Sequence, residues 1–286
     1  MLKIRYFSYT RPLATIIMNI LKAILLTALL MGLEVLISLG VYGFLEPKVT
    51  DSLSDDSLIH YFGITSRIPT VIAYLIVFFL SYKTIFNFNN GIEKVKRIQP
   101  DIILYLILIA IGLEFFDRPL FDFSKIYDYF SGVELKPFEF SESTNLSIIY
   151  RGISVLIIAP ILEELFFRKF LFAEVLKKYS LTVSILVSSI CFSVIHLPSY
   201  RNLLPTFIFG IIACLIYNKT RNIFHTIILH FLSNLSWLLL VSYGKPYYEW
   251  SYGLNYNFIY WLLFIFGIVL TYIGIKKITV ANTVYN

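Results

Sequence analysis

Three short polar clusters interrupt the apolar runs of this chain. The first runs Pro160, Ile161, Leu162, Glu163, Glu164, Leu165, Phe166, Phe167, Arg168. Glu164 and Arg168 stand four apart, so on a helix they share a face and can neutralise each other. Glu163 is turned about 100° away from Glu164 by the helical repeat, and it is left without a local cation. An acid kept from water and from a counter-charge suits general acid–base work. Pro160 bends the helix and frees a backbone carbonyl. The second cluster is Phe192 and His196, four apart within the apolar run 181–197. The third is His230 and Asn234, again four apart, within 223–241. Each has a plainer reading. The glutamates could mark a solvated helix end, His196 a hydrogen-bonded core residue, and His230 with Asn234 polar glue between helices.

The surrounding sequence raises the cost of those polar groups. Of 286 residues, 58% are hydrophobic and 15% charged. A soluble domain carries roughly 25% charged residues, so lipid is the solvent that fits this surface. The net charge of +6 reads as membrane orientation, because no basic stretch with interleaved aromatics stands on a solvated face; no nucleic-acid partner is expected. A span needs about 20 mostly apolar residues. About eight candidates follow, near 13–44, 68–88, 101–116, 147–165, 181–197, 203–217, 223–241 and 257–275. The fold class expected is all-α, a polytopic membrane helical bundle. Its stretches are 1–146 (N-terminal spans and outer loops), 147–241 (the core holding all three clusters) and 242–286 (the C-terminal span), integrated in one membrane domain. The run 13–44 is too long for a signal-peptide core and is read as the first span. Cys191 and Cys214 fit no metal or redox spacing and read as small hydrophobes.

Loop charges orient the bundle. Lys3, Arg5 and Arg11, then Lys83, Lys94, Lys96 and Arg97, then Arg168, Lys169, Lys177 and Lys178 fall on one side, followed by Lys219, Arg221, Lys276 and Lys277. The positive-inside rule makes that side the cytoplasm, with both termini in it. Acids such as Asp51, Asp55, Asp56 and Asp117 collect on the other side. The aromatic, acidic loop 117–147 is expected to rest on the bilayer surface. His60 and His225 receive no role.

A charged residue at the centre of a span costs about 2.5–3.5 kcal/mol, so an ionisable group there is a functional candidate. Spacing lets the clusters converge. If 150–178 and 182–197 form an antiparallel pair turning near Tyr179 and Ser180, Glu163 and His196 lie at equal height and could hold a water between them. His230 and Asn234 must reach that depth from the seventh span. The expected result is a cytoplasm-facing cavity with Arg168 and Lys169 near its mouth.

The ordered set Glu163-Glu164-x-x-x-Arg168, Phe192-x-x-x-His196 and His230-x-x-x-Asn234 resembles the three motifs of the CPBP intramembrane proteases. That family includes the CAAX prenyl endopeptidases and bacteriocin-immunity and lysostaphin-resistance relatives. The likeness covers about residues 147–241. It implies a helical membrane enzyme that hydrolyses a peptide bond of a membrane-associated peptide or protein at the cell membrane. It further implies that Glu163 and His196 activate water, that His230 and Asn234 stabilise the oxyanion, and that Glu164 with Arg168 supports the site. Glu163, His196 and His230 could also ligate Zn2+; no cofactor is favoured over a metal-free glutamate mechanism. The alternative on the same scaffold is a non-catalytic immunity or partner-binding protein. A proton-relaying transporter would call for internal repeats or broken helices in pairs, and neither is visible.

Overall fold

The computed structural model describes residues 19–45, 63, 65–81, 100–134, 140, 144–197 and 199–284. The N-terminal cations, the acids of 46–56, His60 and the cations of 83–97 lie outside the described residues. Among the described residues every regular element is helical. In chain order these are α1 (Ile20–Leu45), α2 (Ile68–Leu80), α3 (Pro100–Phe116), and the short α4 (Arg118–Phe121) and α5 (Phe123–Phe130). Then follow α6 (Asn145–Leu176), α7 (Leu181–Val194), α8 (Tyr200–Thr220), α9 (Ile223–Tyr243), α10 (Lys245–Gly253) and α11 (Phe258–Val284). Among the described residues, five helices, α1, α6, α8, α9 and α11, are long and apolar enough to cross a membrane. The shorter α2, α3 and α7 occupy the other expected spans. Large apolar side chains point outward along the bundle; Phe79 is 81% exposed, a position that lipid would solvate. The chain is a multi-pass membrane protein.

α6 is the element on which the polar clusters depend, and it is not a plain α-helix. Wide π turns occupy Ile153–Ile158 and Leu165–Phe172 on either side of Ala159–Glu164. In the first, Ala159 N–H reaches back five residues to the Ser154 carbonyl. The next donor in that register would be Pro160, which has no N–H. The carbonyl of Val155 is therefore left for another partner. π turns of this kind often sit at functional sites.

α6 turns back into α7 through 177–180, where the Ser180 hydroxyl caps α7 by accepting from Val183 N–H at 3.4 Å. The two helices are pinned together inside the core, since the buried Ser188 hydroxyl donates to the Phe167 carbonyl at 2.8 Å. Phe166, Phe167 and Phe192 are sealed from solvent and pack edge-on in sequence, at 4.8 Å between the first two rings and 5.4 Å between Phe167 and Phe192. α3 lies against α11 so closely that a Cβ on Gly112 would meet Thr271 at 2.5 Å, and one on Gly267 would meet Phe116 N at 2.5 Å. Small residues at such crossings allow helix backbones to touch in lipid.

Candidate active site

α6 presents its two glutamates to opposite environments. Glu164 is fully buried, and its Oε1 lies 3.1 Å from Arg168 Nη1, one turn on. The same oxygen takes the Nδ1 edge of His230 at 2.9 Å. Arg168 is also fully buried and lies flat over the Phe192 ring, 4.1 Å from its centroid. A buried guanidinium needs both an anion and a polarisable face, and the glutamate and the phenylalanine supply them. Arg168 therefore does not stand near a cavity mouth, as its charge alone had suggested; pairing with Glu164 draws it into the core.

Glu163 faces a cavity of about 670 Å3 between the helices. His196, His230 and Asn234 line the same cavity. Glu163 Oε2 lies 3.9 Å from His230 Nε2, too far for a hydrogen bond and near enough for both groups to face one small ligand. His196 lies in the turn after α7, whose helix ends at Val194. Its Nδ1 meets the Phe192 carbonyl at 2.9 Å. Since a carbonyl only accepts, Nδ1 carries the proton there, and the neutral ring keeps an Nε2 lone pair. Nδ1 of His230 likewise donates to the Glu164 carboxylate. Its Nε2 accepts when the ring is neutral and donates only when both nitrogens are protonated.

Asn234 fills the gap that Pro160 leaves. Its Nδ2 donates to the Val155 carbonyl at 2.6 Å, tying α9 to the irregular stretch of α6. One amide N–H is thereby committed and the second is spare. Neither this contact nor that of His230 with Glu164 was readable from spacing, because the partners lie 79 and 66 residues apart. Pro160 was the signal for the first: a proline within an apolar helix implies an orphan carbonyl that needs a donor. His225 is buried in the first turn of α9 and does not line the cavity.

Zinc requires donors at about 2.0–2.2 Å around one point. Among the described residues, no group of three or more His, Cys, Asp or Glu side chains comes together closely enough to hold a metal ion. Glu163, His196 and His230 share the cavity without forming such a set, so this arrangement does not fit zinc.

The cavity is longer than the motif residues require. Its lining also includes Glu34 of α1, Thr70 and Tyr74 of α2, and Glu114 with the bend between α3 and α4. Spacing alone does not single out Glu34, although a single acid within the α1 run is the same kind of signal as Glu163. At the bend, Glu114 accepts from the Ser236 hydroxyl at 3.3 Å. Burial, with the charge of Glu114 beside it, pushes the Asp117 carboxyl well above the usual carboxylate range. Arg118 pairs with Asp122 at 3.1 Å and sits over the rings of Tyr248 and Tyr252, at 4.9 and 5.1 Å. The described part of the expected surface loop thus contributes short helices and cavity wall.

Residues 145–236 match the family model for Rce1-like proteins, the type II CAAX prenyl endopeptidases. That stretch begins at α6 and ends just past Asn234, so it contains every motif residue. The chain is 27% identical over 223 residues, 74% of its length and 84% of the relative's, to the Bacillus subtilis (strain 168) protein named "Putative membrane peptidase YdiL". It is 35% identical over 79 residues, 28% of its length and 43% of the relative's, to the "UPF0177 protein YxdF" of Lactococcus lactis subsp. lactis (strain IL1403). Its motifs in order, its helical membrane fold and these likenesses make the chain similar to the CPBP family of CAAX-type membrane proteases.

Proposed function

We propose that this protein is an intramembrane endopeptidase that hydrolyses a peptide bond of a membrane-associated protein or peptide, with Glu163 as general base. The observation that carries the reading is the common cavity: an acid without a lysine or arginine partner, two imidazoles and a carboxamide from three separate helical segments face one space. A water held between Glu163 and the Nε2 lone pair of His196 loses a proton to the Glu163 carboxylate. The resulting hydroxide attacks the scissile carbonyl carbon, and the carbonyl oxygen becomes an oxyanion. The spare Asn234 N–H and the Nε2–H of the doubly protonated His230 ring donate to it. Collapse of the tetrahedral intermediate breaks the C–N bond, and Glu163 returns its proton to the leaving amine. Glu164 and Arg168 hold His230 in the required orientation. The enzyme works in the cell membrane with both termini in the cytoplasm, as the lysine and arginine distribution favours.

Comparing membrane proteomes of cells with wild-type protein, Glu163→Gln and His196→Ala tests this. The expected result is a proteolytic fragment present with the wild type and absent with both variants, at equal protein levels. Full biological function in Glu163→Gln would overturn the reading and favour a non-catalytic partner-binding role. Loss of a general base costs about 10²–10⁴-fold in rate, so Glu163→Gln should leave no fragment detectable.

A further inference from the structure

The cavity wall holds a donor and an acceptor that each lack a partner. Tyr74 on α2 is 2% exposed, and its hydroxyl finds no hydrogen-bond partner among the described residues. Glu163 Oε2 is likewise buried and without a hydrogen-bond partner there. Both residues line the same cavity. A buried hydroxyl with no partner costs about 1–3 kcal/mol, and most such groups in folded proteins have one.

Packing fixes where the hydroxyl sits. The Tyr74 ring meets Phe166 edge-on at 5.9 Å and Phe78 at 6.0 Å. Phe166 lies three residues after Glu163, on the same helix, so the Tyr74 ring is held within a turn of the glutamate. Glu34 also lines the cavity. Glu34 already has a donor, since the Thr70 hydroxyl, one turn before Tyr74 on α2, reaches its Oε1 at 2.5 Å. The acid lacking a donor is Glu163.

We propose that the Tyr74 hydroxyl is a positioning donor for Glu163, hydrogen-bonded to its Oε2 through one water. The bond turns the carboxylate so that its other oxygen faces the water between it and His196. Tyr74 stands outside residues 145–236, so the part of the chain that matches the family model does not include it. The hydrogen bond stands on the packing; its use in catalysis rests on Glu163 acting as base.

Infrared difference spectra of the full-length protein in lipid nanodiscs separate the two statements. The carboxylate stretch of Glu163, assigned by its loss in Glu163→Gln, should move in Tyr74→Phe. The phenol C–O stretch of Tyr74, isolated with 13C-tyrosine, should move in Glu163→Gln. Phenylalanine keeps the ring contacts, so the melting temperature of Tyr74→Phe should stay at the wild-type value. If that variant folds poorly, the labelled tyrosine band in Glu163→Gln still decides. Tyrosine and carboxylate bands that stay in place overturn the proposal. In cleavage assays on the fragment-yielding substrate from the proteome comparison, Tyr74→Phe should lower kcat about tenfold with KM unchanged, the loss of one hydrogen bond to a charged group. Wild-type kcat in Tyr74→Phe overturns the positioning role. Continued cleavage by Glu163→Gln overturns the general-base reading instead, whatever the bands show.

Discussion

Glu163 and Glu164 are adjacent in sequence, yet the two sides of α6 that hold them are built differently. On the packed side, Glu164 spends one carboxylate oxygen on two partners, Arg168 at 3.1 Å and His230 at 2.9 Å. The guanidinium lies over Phe192 and no solvent reaches it. On the cavity side, Glu163 has no lysine or arginine partner and faces groups that each keep a free valence: the Nε2 of His196, the Nε2 of His230 and one N–H of Asn234. Burial alone therefore does not mark the reactive acid. A buried charge held by an adjacent cation has little left to do chemically, whereas one that shares a cavity with unpaired donors and acceptors can exchange protons with a ligand.

The comparison breaks most sharply under charge deletion. Arg168→Ala leaves Glu164 buried without its cation, and breaking a buried pair from one side costs about 3–5 kcal/mol. The expected outcome is loss of folded protein, read as collapsed yield in detergent and a lowered melting temperature. Glu163→Gln should do the reverse, with no cleavage and a melting temperature within the scatter of wild type, because no pair with a lysine or arginine is lost. If both variants unfold the protein alike, the two sides of α6 do not differ as described.

Asn234→Ala tests the link between the sides. It removes the donor to the Val155 carbonyl, which Pro160 cannot replace, and a buried carbonyl left unsatisfied costs about 1–3 kcal/mol. Stability and cleavage should fall together, in contrast to Glu163→Gln. Asn234→Asp is the sharper variant. It places an acceptor against a carbonyl, so it should be no more stable than the alanine.

The same contrast separates what the sequence made legible from what it hid. Helical spans and the α6–α7 hairpin follow from local patterns: apolar length, the cap at Ser180, and the turn after Lys177 and Lys178. The position of the hairpin turn also predicts matching heights for Glu163 and His196, because height along a helix is a matter of counting residues at a fixed rise. The Glu164–Arg168 pair was legible for the same reason, being four apart on one helix. The orientation of His230 by Glu164 was not, since it depends on how far α9 is rotated and shifted against α6, and no local pattern encodes that. Nor was the first π turn, which goes with Pro160 and a donor on a distant helix. Tyr74 was hidden for a further reason. In a chain rich in tyrosine and phenylalanine, one more tyrosine within an apolar run is unremarkable until its hydroxyl is seen to lack a partner.

Asp117 gives the smallest expected effect and tests whether the far end of the cavity is also held by unpaired acid. Its carboxyl is pushed well above the usual range by burial, and then by the charge of Glu114; one of its oxygens has no hydrogen-bond partner among the described residues. The folded state thus holds this proton more tightly than the unfolded chain does. The stability it contributes is present below the ordinary carboxylate range and is lost as pH rises through the elevated folded value. Asp117→Asn keeps a neutral side chain at all pH, so it should flatten this decline. At neutral pH and above, the variant should melt about 2–4 °C higher than wild type, the shift for roughly 1 kcal/mol in a chain of this size, and the gap should close on acidification. Thermal melts from acid to mildly alkaline pH read this directly. A gap that stays constant across the range would mean that Asp117 is ionised in the fold and finds compensation at the bend, with Arg118 the nearest cation in sequence.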